Sequence, residues 1–180
     1  MRFARDLRKQ FHALRERVGV DMVQLTLITV GSLKEKYLSD AVNEYKKRLL
    51  QFARVDEVNI KEEQIKNEDD RSEIARALDA EAAKIIAAMP KDSFKIALCV
   101  EGKQQSSEEL AKALSDASDR SGKISFVIGS SHGLSDRVKS ECDLKLSVSK
   151  MTFPHQLMRV ILAEAIYRSF TIIHGKRYHK

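Results

Sequence analysis

Cysteine, proline and long apolar runs are all scarce in this chain. Its two cysteines, Cys99 and Cys142, offer neither metal-ligand spacing nor a disulfide framework. That excludes zinc modules and disulfide scaffolds, so no metal is expected and a reducing compartment, the cytoplasm, is. Each thiol reads as a packed residue. No apolar run approaches the ~20 residues of a bilayer-crossing helix, so no membrane is expected as a partner. The two prolines, Pro90 and Pro154, stand where helices stop or start. Gly-Lys-Ser/Thr and GxGxxG are both missing, which excludes the common phosphate loop and dinucleotide fingerprint. No internal repeat, low-complexity stretch or linker divides the chain. What remains is one main domain within 180 residues, large enough to bury most of its apolar surface.

The net charge of +6 is unevenly spread: residues 149–180 hold six Lys/Arg and one Glu, whereas 61–73 hold six acids and three bases. A basic end suits a polyanion, nucleic acid above all, although a solvated charged surface would have the same pattern. Residues 1–21 carry Phe3, Leu7, Phe11, Leu14 and Val18 at helical spacing before Gly19-Val20-Asp21 breaks the pattern. Asp6, Glu16 and the absence of serine argue against an organelle-targeting peptide. This segment reads as an appendage outside the fold, which starts at Met22.

From there strands and helices alternate. Strands are expected at 23–30, 55–60, 94–100, 124–128 and 144–148, each β-branched or apolar. Helices are expected at 34–50, 74–89, 110–117 and 154–170, the third opened by a Ser106/Glu109 capping box. A Glu101-Gly102 turn should end the third strand, and Gly129 and Gly133 should bracket a loop after the fourth. The order predicts an α/β fold, a parallel-type sheet with helices on both faces. In such sheets ligands bind outside the carboxyl ends of the strands. The loops at 101–106, 129–133 and 149–153 therefore form the candidate site. They mix apolar side chains (Leu98, Val148, Met151, Phe153) with glycine and free backbone groups, which suits an uncharged planar group such as adenine better than a triphosphate.

The last helix is nearly all apolar: from Leu157 to Ile166 only Arg159 and Glu164 are polar. One face can meet the sheet, and a second copy of the chain is the simplest cover for the other. Buried charges cost unless paired or used, and Glu164 with Arg168 makes a structural i,i+4 pair.

Val127-Ile128-Gly129, His132-Gly133-Leu134, residues 147–155, Arg159-Val160, Glu164, Tyr167-Arg168 and Tyr178-His179 together resemble the RlmH group of SPOUT methyltransferases. Gly31, residues 33–37, Glu44-Tyr45 and Arg48-Leu49 match as well, and the resemblance covers 22–180. It implies a SPOUT fold with a C-terminal trefoil knot, a homodimer, and S-adenosylmethionine-dependent methylation of N3 of a pseudouridine in 23S rRNA on the assembled ribosome. The implied cofactor contacts are Leu98, Gly129, Val148, Ser149, Lys150, Met151, Thr152 and Phe153. Ser130 departs from the family's usual Gly-Gly and is expected to narrow the pocket.

N3 becomes a good nucleophile only when its proton leaves, so a proton acceptor or a cation near the imide is needed. The candidates are His155, Arg159, Tyr178 and His179. His155 and Arg159 share one helical face, and a structural role for His155 at the helix start weighs as much as catalysis. Without the resemblance Tyr178-His179 would be a frayed end; with it, the pair becomes an RNA-contacting or catalytic tail. A non-catalytic ribosome-binding factor and a different α/β nucleotide enzyme are the competing classes.

Overall fold

The computed structural model describes residues 22–179. The helix and appendage expected in residues 1–21, and Lys180 of the tail, lie outside the described residues. Five strands, β1 (Val23–Val30), β2 (Ala53–Ile60), β3 (Phe94–Gln104), β4 (Lys123–Ile128) and β5 (Leu144–Ser147), form one sheet in the order β2-β1-β4-β3-β5. Every pairing is parallel. The helices are α1 (Lys36–Leu49), α2 (Arg71–Ala88), α3 (Ser107–Ser121), α4 (Asp136–Ser140) and α5 (His155–Ile173).

Both faces of the sheet are buried, because successive strand residues point to opposite sides and both sides are apolar. Leu25, Leu27, Ile96, Ile124 and Phe126 meet Leu49 of α1, Leu110 and Leu114 of α3, and Leu162, Ile166 and Phe170 of α5. Ile28, Val30, Ala97 and Val127 meet Ala82 and Ile85 of α2 and Val138 of α4. The helix ends follow local chemistry. Asp70 accepts from the Ser72 and Glu73 amides at 2.8 and 3.3 Å, the Ser106/Glu109 capping box forms as expected, and Gly122 closes α3 at φ 65°.

Four expectations need correction. The Glu101-Gly102 pair is not a turn that ends the third strand; β3 runs through it to Gln104. Leu98 and Lys103 both align with Leu146, so residues 99–102 form a bulge. Gly102 permits this, since a Cβ there would lie 2.6 Å from the Leu146 carbonyl carbon. After the glycine loop the chain makes a further helix, α4, whose five residues are too few to show a helical period. The closing helix runs past Phe170 to Ile173. It is also covered more fully within its own chain than one sheet-facing side implies, because α1 and α3 flank it. No helix of the described residues is long and apolar enough to cross a membrane.

Candidate functional site

Since β4, β3 and β5 are neighbours, their carboxyl ends bring the three loops together around a cleft of about 440 Å³. Leu98, Gly129, Val148, Ser149, Met151, Thr152 and Phe153 all line it, and so does His155 at the start of α5. Lys150 is exposed and does not line it.

Local chemistry shapes each wall. Gly133 sits at φ 84°, which favours glycine, and its amide donates to the Ser130 carbonyl at 3.0 Å. This turns the loop back so far that a Cβ on Gly129 would fall 2.0 Å from the Gly133 oxygen. The glycine is required by the loop's own backbone before any ligand is considered. Ser130, buried at 7 % exposure, also lines the cleft. In the third loop the Ser147 hydroxyl donates to the Ser149 carbonyl at 2.9 Å, and the Met151 amide donates to Ser149 Oγ at 3.0 Å.

The sequence places Glu101 in a loop of the candidate site but gives no sign of its partner, Lys139. Lys139 of α4 pairs with Glu101 of the bulge at 2.5 Å and with Asp136 at 3.3 Å, and both Lys139 and Glu101 line the cleft. The hydrogen bond from Lys139 holds the Glu101 carboxyl below its ordinary range. Nothing in the sequence marked the pair, because the bulge and the short helix that join them were themselves illegible.

Of the four candidate catalytic residues, only His155 faces the cleft. Burial pushes its imidazole pKa below the ordinary 6.5; Glu62 opposes that shift, while Arg159 and Lys34 add to it. Arg159, 4 % exposed, points elsewhere: its Nη2 donates to the carbonyls of Val30 at 2.6 Å and Gly31 at 2.7 Å. Its buried charge thereby ties α5 to the end of β1, while burial lowers its pKa against Glu57 and Glu62.

Tyr178 and His179 fold back over α5. The Tyr178 ring meets Tyr167 edge-on at 4.8 Å and lies under the Arg168 guanidinium, 5.1 Å away. Its hydroxyl donates to Glu164 at 3.2 Å, and desolvation, with Tyr45 and Glu164, pushes its pKa up to about 12. His179 Nε2 lies 2.6 Å from Glu108 and its Nδ1 3.4 Å from Arg168 Nη1. Arg168 pairs with Glu164 as the i,i+4 spacing suggested. The tail is therefore packed, and neither Tyr178 nor His179 lines the cleft of its own chain.

The residues fit a cofactor that carries an adenine and no phosphate. Gly129 brings backbone to the cleft edge, and Leu98, Val148, Met151 and Phe153 supply apolar surface. The cleft's one described ammonium, on Lys139, is already paired with acids. Among the described residues no group of three or more His, Cys, Asp or Glu is placed to hold a metal ion.

Residues 23–179 match the family model described as "Predicted SPOUT methyltransferase". A protein of Methanococcus maripaludis is 50% identical over 160 residues, covering 88% of this chain and 100% of that relative. The ribosomal RNA large subunit methyltransferase H of Bacillus pumilus is 43% identical over 159 residues, covering 88% of this chain and all (100%) of its own. The protein of the same name from Caldicellulosiruptor bescii is 46% identical over 156 residues, covering 87% of this chain and 99% of that one. With its fold, its cleft and these relatives, the chain belongs to the RlmH family of SPOUT methyltransferases.

Proposed function

We propose that the protein is an S-adenosylmethionine-dependent methyltransferase acting on N3 of a pseudouridine in 23S rRNA, on the assembled ribosome in the cytoplasm. The observation that carries this reading is the cleft at the carboxyl ends of β4, β3 and β5, with an apolar, glycine-edged wall and a half-buried imidazole at its rim. Membership of a methyltransferase family supports the reaction type, and the names of the relatives support rRNA as the substrate. The same reading includes a homodimer and a C-terminal trefoil knot around the cofactor.

When bound, S-adenosylmethionine supplies an electrophilic methyl on a sulfonium. The chain's own work is to hold the donor and acceptor in line and to remove the N3 proton. Leu98, Gly129, Val148, Ser149, Met151, Thr152 and Phe153 would hold the cofactor, with Lys150 beside them on the outside. His155, kept neutral by burial, would accept the N3 proton as the N3–methyl bond forms. Arg159 would fix the His155 turn of α5 against β1 rather than touch the base. Tyr178 and His179, on the outer side of α5, would contact RNA.

Calorimetric titration with S-adenosylmethionine, followed by mass mapping of 23S rRNA from ribosomes incubated with the protein, tests the proposal. One bound cofactor per cleft and a single added methyl on a pseudouridine are expected. Absence of cofactor binding would leave a non-catalytic ribosome-binding factor as the better reading.

A further inference from the structure

His155 lines the cleft, and Arg159, one turn further along α5, lines a second pocket of about 410 Å³. That pocket sits between α1, β2 and the turn after β1. The buried Val42 contributes apolar surface, and four neutral polar side chains surround it: Ser32, Ser39, Asn43 and Asn59. Among the described residues none of these four side chains makes a hydrogen bond within the protein. Arg159 is 4 % exposed; its Nη2 is spent on two backbone carbonyls, and its buried Nε has no partner. Polar groups gathered in a concavity and left unspent are available to a ligand.

The lining selects the ligand's chemistry. Glu57 also faces the pocket and acts electrostatically on Arg159, so the lining residues set one carboxylate against one guanidinium and hold no net charge for a phosphate. Two amides and two hydroxyls offer donors and acceptors together, which suits a flat neutral group carrying both. The 1.5 Å rise of a helix puts Arg159 about 6 Å beyond His155, roughly two stacked steps of a nucleic-acid strand.

We infer that this pocket holds an unpaired nucleobase of the RNA, within two nucleotides of the one whose base enters the cleft. The inference rests on the reading of the cleft as the methyl-transfer site. Its test uses the intact protein and the four free nucleosides uridine, cytidine, adenosine and guanosine. The reporters are the side-chain amide resonances of Asn43 and Asn59. At least one nucleoside should shift both resonances saturably, with affinity falling tenfold or more in Asn59→Leu and in Asn43→Ala. Both side chains are exposed, so the variants should melt with the parent. Failure of every nucleoside to shift these resonances would overturn the inference. Equal shifts from inorganic phosphate would overturn it too, in favour of a simple anion site. Calorimetry with S-adenosylmethionine on the same samples separates the two readings. Nucleoside binding without cofactor binding would remove the methyltransferase reading of the cleft and leave the pocket, and the converse would remove the pocket alone.

Discussion

At the scale of single residues, Gly129 and His155 carry the most. A methyl on Gly129 would sit inside the Gly133 carbonyl, so Gly129→Ala must push the 129–133 loop out of place. Cofactor affinity should fall at least tenfold by calorimetry, about 1.4 kcal/mol, while the sheet-wide fold survives. The sequence marked this glycine as a place where backbone approaches a ligand; the structure shows that it must first accommodate its own loop. For His155, burial depresses the pKa below 6.5, so above that pH the ring is neutral both folded and unfolded, and its contribution to stability is fully present. That contribution is lost as pH falls below 6.5 through the folded value, because the unfolded chain then binds the proton more readily. The same protonation removes a proton acceptor. The methylation rate should therefore drop on an acidic limb below 6.5 that His155→Gln abolishes. A limb that persists in the variant would assign the proton to another group.

Elements tell a different story from residues. The strands and long helices were legible because both sheet faces are apolar and caps such as Ser106/Glu109 are local. The bulge at 99–102 was not legible: Glu-Gly reads as a turn, and only the alignment of both Leu98 and Lys103 with Leu146 reveals a continuing strand. Nor was the packing of the tail, which depends on residues far apart in sequence: Glu108, Glu164, Tyr167 and Arg168. That packing shapes the prediction for a chain truncated after Gly175. It should keep cofactor affinity, because no described tail residue lines the cleft. It should lose methylation of ribosomes if the tail grips RNA. Loss of the Tyr178–Tyr167 contact, about 0.5–1.5 kcal/mol, should lower the melting temperature by a few degrees. Single-turnover rates on ribosomes measure the first effect and calorimetric melting the second; full-rate methylation would remove the tail from the mechanism.

For the whole molecule the open question is what else covers its apolar surface. The family match begins at residue 23, and we propose that residues 1–21 are an appendage. A chain starting at Met22 should then match the parent in cofactor affinity and sedimentation, and a loss of either would make the segment part of the working fold. The homodimer is argued from α5 and its surroundings. Leu162, Ile166 and Phe170 are satisfied by the chain's own core, but Leu157 on the same helix remains 38 % exposed. Met151 and Val148 are 67 % and 40 % exposed, and Val100 and Tyr37 are 58 % and 68 % exposed. Scattered apolar side chains on a surface are ordinary. Three of these, Val100, Val148 and Met151, border one cleft, however, and Leu157 lies one turn or less from its rim residues His155 and Met158. A second copy laid over that surface would bury all four apolar side chains and exclude water from the methyl-transfer site. Sedimentation at low micromolar concentration should therefore show twice the chain mass. Leu157→Asp would place an unpaired carboxylate in the contact and should shift the population toward single chains. A wild-type protein that sediments as a clean monomer would overturn the dimer, and those apolar side chains would then need an RNA or ribosomal surface to cover them.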